Sequence, residues 1–281
     1  YEDGDGNGHN TAVGSQSQLN ATTGEFNTSL GSLSMGTGVT TGDYNVALGY
    51  EAGKSLTSGH SNILIGWKTG DVLTTGIKNV AVGHAALGAE DGNSLNVAVG
   101  YAALNTLNAG ADGYNVAVGF EAGKLISTGV RNTVIGAIAG DAMTTGSDNT
   151  IVGERSGSAQ TIANWNSSLG ENSLFTNVAS SNNTAIGASA LAVMTSATAA
   201  NGNNVAVGAS AGIAVTSGVQ NTLIGTEAGN AITTGDNNII IGYAAAASAV
   251  GVDNETVIGT ATTTNAIVHG LRKSVVATPT N

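Results

Sequence analysis

Residues 49–55, GYEAGKS, come within one residue of a phosphate-binding loop. Such a loop needs a glycine-rich turn closing on Gly-Lys-Ser/Thr, so that successive amides cradle phosphate. Here the turn is one residue short, and its copy at residues 119–125, GFEAGKL, lacks the hydroxyl. Asp3, Asp5 and Asn7 are spaced like the first ligands of a calcium loop, with Gly8 at its sharp turn, but the position that needs a bidentate Glu is Gly14. Glu51, Glu121 and Glu227 could supply glycosidase carboxylates, which must lie about 5–9.5 Å apart. They fall in separate, non-neighbouring copies of a repeat. His9, His60, His84 and His269 show no metal-ligand spacing. Thr-Thr pairs at 22–23, 40–41, 74–75, 144–145 and 233–234 are the regular hydroxyl array an ice-binding solenoid would use, which makes ice binding a remote alternative. No catalytic set, metal site or cofactor is predicted, and the chain is not expected to be an enzyme.

Composition narrows the class further. Gly is 42 of 281 residues, about twice the usual ~7%, while charged residues are 10% against a usual ~25%. Glycine does not fall at every third position and there is one proline, so collagen is excluded. Hydrophobic residues are 41%, enough apolar surface to bury, which argues against disorder. The net charge of −11 leaves no basic stripe for nucleic acid. There is no cysteine, hence no disulfide or thiol chemistry, and no apolar run of membrane-spanning length.

The elements that must position these residues are announced by a repeat. The motif N-x-x-[VIL]-G starts at Asn10, Asn27, Asn45, Asn62, Asn79, Asn96, Asn115, Asn132, Asn149, Asn166, Asn183, Asn204, Asn221 and Asn238, and a fifteenth copy starts at Glu255. Of the fourteen steps, eleven are 17 residues and the others are 18, 19 and 21. Numbering from the Asn, positions 1–4 read as a strand rich in β-branched residues, closed by an invariant Gly at position 5. Position 12 is usually aliphatic, and T-[TS]-G follows it. The period suits one turn of a parallel β-solenoid, with rungs about 4.8 Å apart and fifteen rungs spanning roughly 70 Å. The second limb, positions 6–12, reads equally as a strand or a short helical turn. The Asn residues, Asn45, Asn62, Asn79, Asn96, Asn115 and Asn132 among them, are expected to stack into an amide ladder.

Alternation with period two puts positions 2 and 4 on one face and positions 1 and 3 on the other. The expectation is that position 4 faces position 12 across a thin core while position 3 points outward. Position 3 is polar in only two of fifteen copies, Ser29 and Ser168. Both faces are therefore apolar, which implies burial on both. One thin turn can cover only one face, so the other is expected to pack against further copies of the chain.

The units NVAVGYAAL (96–104), NTAIGASAL (183–191) and NTAVGSQSQ (10–18) resemble the head repeats of trimeric autotransporter adhesins, and similar repeats occur in bacteriophage tail fibres. The resemblance covers about residues 10–259, although the adhesin period is shorter. It implies a left-handed parallel β-roll, a homotrimer and a cell-binding role. Residues 256–276 resemble the tailspike junction that leads into a self-cleaving, trimer-forming chaperone domain.

The expected architecture is all-β: an acidic lead-in over 1–9, a β-roll of about fifteen rungs over 10–260, and over 261–281 a junction to a further segment. The expected role is an extracellular fibre or head, on a virion tail or a bacterial surface, with a host glycan or protein as receptor. The alternative is a structural spacer or filament subunit. Insertions in solenoids map to loops, often on the binding face, which marks Ala111 and Asp112, and Ala197 and Thr198. Trp165, in a corner, is the remaining candidate contact.

Overall fold

A computed structural model describes residues 9–89, 91–92, 94–110, 112–195 and 201–263. Fifteen strands of three residues each follow one another: β1 (Thr11–Val13), β2 (Thr28–Leu30), β3 (Val46–Leu48), β4 (Ile63–Ile65), β5 (Val80–Val82), β6 (Val97–Val99), β7 (Val116–Val118), β8 (Thr133–Ile135), β9 (Thr150–Val152), β10 (Ser167–Leu169), β11 (Thr184–Ile186), β12 (Val205–Val207), β13 (Thr222–Ile224), β14 (Ile239–Ile241) and β15 (Thr256–Ile258). They form one parallel sheet in sequence order. The chain is thus an all-β parallel solenoid, and no helix occurs among the described residues. Register is strict: Ala47 pairs with Leu64, Leu64 with Ala81, Ala81 with Ala98.

The inside and the outside of the strand are the reverse of the sequence expectation. Position 3 is the core: Ala47, Leu64, Ala81, Ala98, Ala117, Val134 and Ile151 are all fully buried within their own chain. Positions 2 and 4 face outward, as Val13, Leu30, Ile63, Leu169 and Ile258 illustrate. The reason lies at position 1. The Asn amide is buried, and period two then carries position 3 inward with it. Position 12 lies in the core as expected, with Leu56, Leu73, Ile126 and Met143 fully buried. A small residue at position 8, such as Ala52, Ala86 or Ala122, completes the core.

The second limb is neither strand nor helix but a run of turns held by left-handed residues. Position 7 (Glu51, Lys68, Glu121, Arg155) and the residue before each Asn (Ser61, Tyr114, Asp148, Trp165) have φ between 50° and 61°. The residue before the Asn is never β-branched, consistent with the steric penalty of this region. Gly83 shows why position 5 is invariant. Its φ is +132°, and a Cβ there would lie 2.3 Å from the Gly100 carbonyl oxygen of the next rung.

Two side-chain ladders tie the rungs. Asn132 Nδ2 donates to Asn115 Oδ1 (3.1 Å) and to the Gly146 carbonyl (2.9 Å), while its Oδ1 accepts from the Asn149 backbone N–H (3.1 Å). The second ladder stands two residues before the Asn. There Asp43, Ser94, Ser147, Asn164, Ser181 and Asp236 each accept from a backbone N–H of the rung before.

Candidate interaction face

Because positions 2, 4 and 6 all point outward, the sheet presents three parallel columns to solvent. The position 4 column is Val, Leu or Ile in every rung. The other two change along the rod. From β3 to β7, position 2 is Val46, Ile63, Val80, Val97 and Val116, and position 6 is Tyr50, Trp67, His84, Tyr101 and Phe120. From β8 to β11, position 2 becomes Thr133, Thr150, Ser167 and Thr184, and position 6 becomes Ala137, Glu154, Glu171 and Ala188. Over these five rungs the face is therefore aliphatic and aromatic, and over the next four hydroxyl and acidic residues flank the aliphatic position 4 column.

The aromatic column is a stack. Ring centroids lie 4.4 Å apart for Trp67–His84, 5.2 Å for His84–Tyr101 and 5.2 Å for Tyr101–Phe120. Strict rung spacing brings these rings together, since the repeat sets each about one strand separation from the next. In the stacked pairs the ring faces cover one another, so the column offers solvent mainly ring edges. Trp67 is 54% and Phe120 50% exposed, a large apolar area for a surface. A shorter stack, His9–Phe26–Tyr44, stands on the corner before the Asn ladder.

Charged groups flank the column. Glu51 lies 3.4 Å from Lys54 and 3.7 Å from Lys68. Its carboxyl is held below the usual range by a hydrogen bond from the Tyr50 hydroxyl, aided by both lysines and opposed by burial. The same bond raises the Tyr50 phenol. Glu121 pairs with Lys124 at 2.8 Å and raises that ammonium. On the corner, Arg131 binds Asp148 with two hydrogen bonds of 2.6 and 2.8 Å, which hold the Asp148 carboxyl below its usual range.

The residues singled out from the sequence do not converge on one site. Asp112 is exposed and accepts from the Tyr114 hydroxyl at 3.4 Å. Trp165, 60% exposed, stands on the same corner three rungs further along. Ala111, Ala197 and Thr198 lie outside the described residues, as do residues 1–8 and 264–281. The near phosphate loop holds no cradle: the amides of Gly49, Glu51 and Gly53 donate to Leu30, Ser32 and Thr69 carbonyls of neighbouring rungs. Thr74, Thr144 and Thr233 likewise spend their hydroxyls on the next rung, at 2.9–3.2 Å. Among the described residues no three His, Asp or Glu side chains are grouped to hold a metal, and no helix is long and apolar enough to cross a membrane. The aromatic column is the feature sequence reasoning missed, although position 6 is aromatic in five successive copies.

Fold and face together define a parallel β-solenoid repeat protein with a long apolar side. Compared with known proteins, the chain matches no family model and no curated sequence.

Proposed function

We propose that the chain is a non-enzymatic segment of an extracellular fibre, of tail-fibre or adhesin-head type, in which three copies pack lengthwise and present a cell-binding surface at their corners. The observation that carries this reading is the outward aliphatic column, unbroken over fifteen rungs and widened by the aromatic residues at position 6 from β3 to β7, of which those from β4 to β7 stack. A face about 67 Å long and roughly 10–13 Å wide offers on the order of 700–900 Å². That total, polar rungs included, is close to the ~800 Å² per partner of a stable interface. The change of character along the face favours copies that run parallel and in register. An antiparallel pair centred on β8 would set Phe120 and Tyr101 against Glu154 and Glu171 and leave charge facing apolar surface.

With the sheet face occupied, a receptor is left the corners and turns, where Asp112 and Trp165 lie exposed. A glycan or protein on a cell surface is the proposed ligand. A spacer or filament subunit that uses the same face without any receptor is the structural alternative.

Analytical ultracentrifugation of the chain and of Val80→Asp/Val97→Asp tests the assembly. The expected result is a trimer that dissociates when the two aspartates enter the face. A monomeric parent chain would overturn the reading. Glycan-array binding by the trimer then separates a receptor-binding head from a spacer.

A further inference from the structure

The core changes character along the rod. Two apolar clusters fill it, one running from Met35 to Ile151 and the other from Leu174 to Ala245. Between them lies a polar layer. Ser156, Ser168 and Ser173, at positions 8, 3 and 8 of the rungs of β9 and β10, are buried, and their hydroxyls close a triangle of 2.7, 3.0 and 2.7 Å. Gln160 continues the column occupied by Ile126 and Met143. It is fully buried, and neither atom of its amide has a hydrogen-bond partner.

The same constellation marks the other end of the first cluster. Ser17, Ser29 and Ser34 occupy the same three positions in the rungs of β1 and β2, and the Ser17 and Ser29 hydroxyls are bonded. Gln18 is fully buried there, and its amide also lacks a partner. A third observation coincides with both layers. Asn132, Asn149 and Asn183 donate from their side-chain amides to the preceding Asn side chain. Asn166 donates instead only to the Ser180 carbonyl, and Asn27 only to the Gly42 carbonyl.

Each rung touches only its neighbours, so stability is close to a sum over rungs and the interfaces between them. At the junction of β9 and β10 that interface loses apolar contact, one ladder bond and the hydration of a buried amide, whose desolvation is uncompensated. We infer that this junction is a built-in break point, and that the rungs of β2–β9 and of β10–β14 open as separate cooperative units. The fibre can then yield over its second part while the aromatic stretch of the face stays formed.

Hydrogen exchange of the full chain, read by mass spectrometry at increasing low denaturant, tests this. Strand amides of β3–β8 should be protected about tenfold or more above those of β11–β14, with distinct denaturant dependences. In Gln160→Leu/Ser168→Ala, which continues the aliphatic column through the layer, the step should vanish. A single common opening of all strand amides in the parent chain would overturn the inference, whatever the variant does. A step that persists unchanged in a folded variant would also overturn it.

Discussion

At the scale of the residue, the Asn at position 1 does more than any other side chain to make the repeat a structure. Its oxygen satisfies the backbone N–H that starts the next rung, and its nitrogen closes the corner at the end of its own turn, so no neighbouring side chain can substitute. Asn132→Ala would strand two buried backbone groups at once, the Asn149 N–H and the Gly146 carbonyl, and would cost Asn115 Oδ1 one of its two donors, the Asn132 backbone N–H remaining. At roughly 1 kcal/mol for each lost bond, and more where the orphan is buried, the expected loss is about 2–4 kcal/mol. Urea unfolding with an unchanged m-value is the measurement; a loss under ~1 kcal/mol would mean the ladder is decorative. Arg131→Ala on the exposed corner removes a bidentate pair that is well formed but solvated, and such pairs contribute little. The contrast follows from burial, because both contacts have good geometry.

At the scale of one rung, core volume is shared among positions 3, 9 and 12. Where position 9 is Gly, a long neighbour uses the space: a Cβ on Gly123 would meet Ile126 Cδ1 at 2.8 Å, and one on Gly70 would meet Leu64 at 3.0 Å. Where position 12 is short or polar, as at Gly38 and Asn177, position 9 is Met35 or Leu174, both buried with left-handed φ. In these rungs position 9 is large where position 12 is not, despite the backbone strain, whereas the longer rungs of 19 and 21 residues bury both, Leu104 with Leu107 and Leu191 with Met194. Gly123→Leu is expected to destabilise by about 2–3 kcal/mol through overpacking. Gly123→Leu/Ile126→Ala should recover much of that loss, which a double-mutant cycle by denaturant unfolding would measure. The strand, the Gly corner and the buried position 12 were legible in the sequence because each recurs in almost every copy. The direction of positions 3 and 4 was not, since both are apolar and hydropathy cannot rank Ala47 against Leu48. The Asn held the answer: an amide ladder shielded from water puts position 1 inside, and parity then places Ala47 inside too. The left-handed turns were illegible for another reason, as Glu51, Lys68 and Glu121 have side chains compatible with many backbone conformations.

At the scale of the whole molecule, the solenoid is one-dimensional, since every strand contacts only the strand before and the strand after it. Its length is then set by the number of rungs and its register by the 17-residue period. The insertions support this: steps of 18, 19 and 21 residues leave the pairings β2–β3, β6–β7 and β11–β12 in the same register as all the others. The extra residue of the 18-residue step lies in the second limb near Met35–Val39, ahead of the Thr40–Gly42 corner, and the amides on either side of it keep their bonds to the next rung, Met35 N–H to the Ala52 carbonyl and Thr41 N–H to the Thr57 carbonyl. Deleting residues 116–132 joins Asn115 to Thr133 and removes one whole period, so Val97 would pair with Thr133 as it now pairs with Val116. The shortened chain should fold, with a modestly lower melting temperature, and small-angle scattering should give a rod about 4.8 Å shorter. Deleting residues 116–123 removes fewer residues but carries away a strand and its Gly corner, leaving Asn115 against a turn. It should cost the rungs on both sides their sheet signal in circular dichroism. If the smaller deletion were tolerated better than the larger, the period would not be what holds the rod in register.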